Sequence, residues 1–228
     1  LEKESYMAIF TKKLSSVIGA ALVGSILPMT LASNPAAATT NIVTNGGFEN
    51  PNIPGGSFGI FPGIPGWSLL PGSRGSGIEV QDNVAGSPFT GNQFVELDSN
   101  GVTGIYQDLA TDIGQTYKLE FAFSPRPGVA QNITNIKWGG SLVDTLSASG
   151  VGLPNTNWKT FSYDLVANSS ITRLSFDNLT ELSDSLGSYI DDVKVTAVPE
   201  PASMLGLLAF GAFGATSLIK RKQPKAEA

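Results

Sequence analysis

Thr116-Tyr117-Lys118-Leu119-Glu120-Phe121-Ala122-Phe123 decides the fold class. Tyr117, Leu119, Phe121 and Phe123 share one parity, whereas Thr116, Lys118 and Glu120 take the other. A period of two belongs to an extended chain with one buried face, so the stretch predicts a half-buried β-strand. The alternation recurs at Phe161, Tyr163 and Leu165, at Thr172, Leu174 and Phe176, and at Val193 and Val195. Shorter strand candidates lie at residues 41–44, 78–81, 93–97, 104–107, 133–138 and 142–146, and no amphipathic helix of useful length competes. Glycine- and proline-rich clusters at residues 51–59, 62–66 and 71–77 read as turns between them. About nine or ten strands at this spacing predict an all-β fold, a two-sheet sandwich.

The two ends read differently. Lys12 and Lys13 precede an apolar run over 14–32, and Ala36 and Ala38 supply small residues at cleavage-site spacing. Residues 1–38 therefore read as a secretory signal peptide cut after Ala38, with Met7 a better start than the acidic stretch before it. Pro28 and Pro35 would break a core helix placed there. At the other end Val198-Pro199-Glu200-Pro201 precedes the uncharged run 202–219, and Lys220-Arg221-Lys222 follow. At 1.5 Å per residue that run reaches about 27 Å, enough for a transmembrane helix. Its basic end belongs on the cytoplasmic side, which leaves residues 39–197 outside as the folded domain.

The 228 residues include neither cysteine nor histidine, which removes thiol catalysis, Ser-His-Asp hydrolysis and metal sites built on imidazole or thiolate. A bound metal would need oxygen ligands, favouring calcium or magnesium. Residues 39–198 carry 7 basic and 15 acidic side chains, a net charge of −8. Such a domain is a poor partner for nucleic acid, and it is compatible with neutral polysaccharide or divalent cations.

Val198-Pro199-Glu200-Pro201-Ala202, the apolar run and the basic cluster, in that order, resemble the PEP-CTERM sorting signal of Gram-negative bacteria. The resemblance implies export, an inner-membrane intermediate, and recognition by an exosortase that processes the chain near Pro-Glu-Pro. Release to the cell surface or an extracellular matrix would follow; the competing expectation is a permanent single-span anchor. A second set of landmarks is Asn45-Gly46-Gly47-Phe48-Glu49, Pro65-Gly66-Trp67, Ile78-Glu79-Val80, Val95-Glu96-Leu97, Ile105-Tyr106-Gln107-Asp108 and Tyr189-Ile190-Asp191-Asp192-Val193. In that order they resemble DUF642-like domains and galactose-binding-like carbohydrate modules. That resemblance implies a jelly-roll β-sandwich associated with wall or matrix glycans.

Candidate site residues follow from both kinds of reading. Asp191 shares parity with Tyr189, Val193 and Val195, so it is expected at the core edge, where a carboxylate needs a partner. The resemblance implies a structural calcium held by Glu49, Asp191 and backbone carbonyls around Asn45 and Gly47. The alternative is an Asp191 satisfied by backbone N–H groups or an arginine, with Glu49 an ordinary surface acid. Trp67 and Trp158 begin likely strands, as core anchors or sugar-stacking faces, and Trp138 beside Gly139-Gly140 is expected to be more exposed. Arg126, between Pro125 and Pro127, either donates to sugar hydroxyls or a uronate or clamps an acid. Glu79, Glu96, Asp98 and Asp108 are available for a glycosidase acid pair, though no compact acid motif joins them. The expected function is an exported, non-catalytic module that binds or structures extracellular polysaccharide. The alternatives are a small secreted glycoside hydrolase and a purely structural surface protein.

Overall fold

The stretch around Phe121 forms β7 (Thr116–Ser124), next to one edge of a six-stranded sheet in the computed structural model, which describes residues 40–179 and 185–199. In sheet order the other strands are β1 (Ser57–Phe61), β4 (Ile78–Asp82), β5 (Phe94–Glu96) and β12 (Tyr189–Ala197), with β10 (Lys159–Val166) beyond β7. The second sheet runs β2 (Gly63–Ile64), β3 (Trp67–Leu69), β6 (Gly104–Ala110), β11 (Ile171–Asn178), β8 (Asn132–Trp138) and β9 (Ser141–Ala148). Every ladder is antiparallel, and from β3 onward the chain crosses repeatedly between the sheets. The domain is thus an all-β sandwich of two antiparallel sheets.

Alternation fills the space between the sheets. Leu119, Phe121 and Phe123 meet Leu174 and Phe176 from the facing sheet, and Phe121 sits edge-on to Phe176 at 4.9 Å. Trp67 links them to the N-terminal segment, with ring centroids 5.4 Å from Phe48 and 6.1 Å from Phe176. Each such side chain contributes about 1.5–3 kcal/mol on burial, so the core supports the sandwich without any disulfide.

Three departures from the sequence expectation have local causes. Strands β1 and β2 form inside the glycine- and proline-rich clusters read as turns, because β1 is an edge strand that pairs across its length with β4. Residues 41–44 make one bridge, Asn41 to Thr196, in place of a full strand. Parity also changes within β12, where a bulge between Asp191 and Lys194 places Asp192 at φ +52°. Consequently Val193 and Val195 enter the core with Ile190, while Tyr189 and Asp191 point to the outer face of the first sheet. Gly46 accommodates this bulge: its carbonyl accepts Val193 N–H at 2.9 Å, and a Cβ there would lie 2.0 Å from Val193 O.

The expected signal helix with Ala36 and Ala38 falls outside the described residues, as do the apolar run 202–219, Glu200, Pro201, Lys220, Arg221 and Lys222. Among the described residues no helix is long and apolar enough to cross a membrane.

Candidate functional site

The outer face of the first sheet carries Glu79 and Gln81 from β4, Phe94 and Glu96 from β5, and Tyr189 and Asp191 from β12. All six are buried, because loops cover the sheet there. The chief cover is the β4–β5 loop, residues 83–93, which two carboxylates pin by its backbone. Asp191 Oδ2 accepts N–H from Phe89 and Thr90, both at 2.9 Å, while Asp191 Oδ1 accepts from Asp192 N–H at 2.6 Å. Glu49 Oε1 accepts the N–H groups of Asn92 at 2.8 Å and Gln93 at 3.0 Å. Gly91 lies between the two anchor points at φ +63°, and a Cβ there would meet Glu49 Oε1 at 2.2 Å, so glycine permits this turn. Burial pushes the Asp191 carboxyl up to about 7 against the lowering effect of its backbone donors.

Pinned in this way, the loop sets aromatic rings together. Phe94 packs on Tyr189 at 4.7 Å and edge-on to Trp158 at 5.7 Å, while Phe89 lies 6.2 Å from Trp158 and stays 40% exposed. The half-buried Trp158 is held from behind, its indole N–H donating to Ser87 O at 2.8 Å. Asn155 Oδ1 accepts the Ser87 N–H at 2.9 Å, tying the β9–β10 loop to the same segment. A depression of about 550 Å³ opens between the β4–β5 and β9–β10 loops and the turn after β7, lined by Val84, Gly86, Arg126, Pro127, Asn155 and Leu186.

Beneath it lies an acid pair. Glu79 and Glu96 face each other across β4 and β5, bridged by Gln81 Nε2, which donates to both. Arg126 Nη1 reaches both oxygens of Glu96 at 2.5 Å, and Gly187 N–H donates to Glu96 Oε1 at 2.6 Å. One guanidinium balances one carboxylate. Burial, then the charge of Glu79, pushes Glu96 up to about 9, and burial raises Glu79 as well, so the pair together favours holding a proton at neutral pH. Arg126 therefore clamps an acid, and its guanidinium is mostly consumed by Glu96.

The remaining sequence candidates separate. Trp67 is buried in the core with its indole N–H on Asn45 O at 3.1 Å. Trp138, expected to be exposed, is buried against Tyr117 and donates to Val166 O at 3.0 Å; the Gly139-Gly140 turn leaves the strand beyond it. Asp108 lies on the second sheet, paired with Arg173 at 2.7 Å and away from Glu79 and Glu96, whereas the buried Asp98 is near enough for its charge to help raise Glu79.

Three of the four residues expected around calcium, Glu49, Asp191 and Asn45, use oxygens for hydrogen bonding. Asp191 and Glu49 bind backbone N–H groups as described, Asn45 O accepts from Phe48 N–H and the Trp67 indole, and Asn45 Oδ1 accepts from Asn50 N–H. Gly47 lies in the same turn, near Glu49. Among the described residues no three acidic side chains gather as a metal group. As arranged, the set does not fit a shell of about six to eight oxygens.

Sequence reasoning missed Phe89, Asn155 and the buried Gln93, whose side chain ties Phe48 O and Ile53 N–H together. The alternation Ile78-Glu79-Val80-Gln81 was the available signal for the acid pair, because it sets Glu79 and Gln81 opposite the core positions.

Comparison with known proteins adds three findings. A family described as the PEP-CTERM protein-sorting motif matches residues 197–222. The DUF642 L-galactono-1,4-lactone-responsive gene 2 protein of Arabidopsis thaliana is 30% identical over 190 residues, covering 73% of this chain and 49% of that protein. The chain thus spans about half the length of this curated relative. Among solved structures, a family 61 carbohydrate-binding module in complex with β-1,4-galactotriose has 17% identity and a TM-score of 0.46, covering 70% of this chain and 99% of that one. A family 4 carbohydrate-binding module has 18% identity and a TM-score of 0.42, covering 68% and 99%. The sorting motif marks an exported, surface-sorted protein; the chain ends in a PEP-CTERM protein-sorting motif and is similar in sequence to a plant DUF642 protein.

Proposed function

We propose that the protein is a non-catalytic, exported surface module that binds neutral extracellular glycan on the loops that cover the outer face of its first sheet. The carrying observation is the carboxylate-pinned loop that sets exposed Phe89 beside Trp158, with Ser87 joining Trp158 to Asn155 on the lining of the neighbouring depression. Aromatic faces cover the apolar side of a pyranose ring, and a platform fixed before binding has little entropy left to lose. A net charge of −8 over residues 39–198 favours uncharged polysaccharide over uronate-rich chains. Glu96 is fully buried beneath Arg126 and Gly187, where it cannot reach a glycosidic bond, and this supports the non-catalytic reading over the hydrolase.

Sorting would proceed as the tail motif suggests, with an exosortase acting near Val198-Pro199-Glu200-Pro201 once residues 202–219 occupy the inner membrane. Screening the full chain on a glycan array, with calcium and with EGTA, tests the binding. Retention on neutral glycans in both conditions is expected. Absence of any glycan binding would favour the purely structural surface protein, and reducing ends released from a polysaccharide would favour the hydrolase. A melting temperature unchanged by EGTA is expected from the hydrogen-bonded state of Glu49 and Asp191; a fall would restore calcium to that turn.

A further inference from the structure

Both described stretches of chain that lead to the ends leave the domain at one pole. Asn41 bridges Thr196 antiparallel, and Ile42 N–H donates to Val195 O at 2.9 Å, so residue 40 lies beside the end of β12. Val198 leaves from the same place: its N–H donates to Thr116 O at 2.8 Å, and its carbonyl accepts Gln115 Nε2 at 2.7 Å. The β6–β7 turn (111–115) and the β10–β11 turn (167–170) close this pole and are laced together. Thr111 N–H donates to Ser170 O at 3.0 Å, Gly114 N–H to Ala167 O at 2.8 Å, and Ala167 N–H to Gln115 O at 3.0 Å.

Around these exits Ile113 is 73% exposed, Ile171 63% and Val166 49%. Asp112 is the one ionisable residue in segments 111–115, 166–171 and 197–199. Scattered exposed aliphatics need no explanation, but here Ile113 in the β6–β7 turn, Val166 on the outer face of the first sheet and Ile171 on the outer face of the second ring the pole at which the chain leaves the domain. The glycan platform lies at the other ends of β7, β10 and β12: Arg126 follows β7, Trp158 precedes β10 and Tyr189 opens β12. These strands of eight or nine residues separate the two poles by about 30 Å.

We propose that this pole is a lipid-contacting surface, with Ile113, Val166 and Ile171 set into the headgroup boundary. It rests on the reading that residues 202–219 occupy a bilayer. The tether sets the distance: from Pro199 to residue 202 the chain reaches at most about 10 Å, comparable with the headgroup layer, so the pole cannot stand clear of the surface. Aliphatic side chains held at that depth gain apolar burial that they lack in water. The sandwich then stands on the membrane with its aromatic platform turned outward.

The chain has no cysteine, so single-cysteine variants of the full chain can be labelled with an environment-sensitive fluorophore. Ile113→Cys and Ile171→Cys report the pole, and Val151→Cys reports the far pole, where Val151 is 64% exposed. Leu205→Cys reports the tail. In vesicles of phosphatidylethanolamine and phosphatidylglycerol, the labels at 113 and 171 should shift to the blue and lose iodide quenching, while the label at 151 stays in water. A tail label that inserts while 113 and 171 behave like 151 overturns the pole surface and leaves the tail reading standing. A tail label that stays in water overturns the tail reading; the pole surface survives that result if 113 and 171 still shift, and falls with it if they do not. Protection of 113 without vesicles that grows with protein concentration means a second copy covers the patch, and also overturns the proposal.

Discussion

Trp67 shows how one side chain joins the N-terminal turn to the core face of the second sheet. Its ring touches Phe48 and Phe176, and its indole N–H satisfies the Asn45 carbonyl. Trp67→Ala should cost about 3–5 kcal/mol, read as a loss of chemical-denaturation stability, because it leaves a cavity and removes one of the two hydrogen bonds to the Asn45 carbonyl. Glu96 gives a pH signature. Its carboxyl rises from 4.5 to about 9 and that of Glu79 is raised beside it, so the folded pair keeps a proton that the unfolded chain has released, and stability falls as pH climbs through that interval. Asp191, raised from 3.8 to about 7, adds the same sign between those values. The melting temperature should decline from pH 5 to pH 9, and Glu96→Gln should flatten the alkaline part; a rise over that range would contradict the assignment.

Among the elements, the β4–β5 loop depends on contacts remote in sequence, and this is where sequence reading stops. The strand parity of β7, β10 and β11 was legible because their core faces alternate without interruption. Strands β1 and β2 were not, since their pairing partners create them and their composition argues for turns. Nor could parity place Asp191, because the bulge at Asp192 reverses the faces of β12 and requires the close approach of Gly46 to be stable. Of the tryptophans, Trp158 alone falls at the platform, for no local motif tells a strand-opening anchor from a rim residue. Asp191→Asn combined with Glu49→Gln should weaken four backbone N–H contacts while sparing the core. Amide exchange of Phe89, Thr90, Asn92 and Gln93 should then accelerate at least several-fold, with Phe121 and Phe176 still protected; unchanged exchange would show that the carboxylates do not hold the loop.

Across the whole molecule, chemistry is divided by position. The aliphatic pole holds the chain exits, the opposite ends of the long strands hold the aromatic platform, and the buried acid pair lies beneath the loops that frame it. Composition already foretold the class: no thiol or imidazole, an acidic exterior, and terminal apolar runs set apart from an alternating middle. Which face would carry function was hidden, since it depends on loops meeting over a sheet. The most direct test is a calorimetric titration of the best neutral oligosaccharide from the array into the full chain and into Trp158→Ala and Phe89→Ala. The account predicts at least about tenfold weaker binding for Trp158→Ala, ~1.4 kcal/mol, and a smaller loss for Phe89→Ala, with circular dichroism unchanged. Undiminished affinity in both well-folded variants would contradict it.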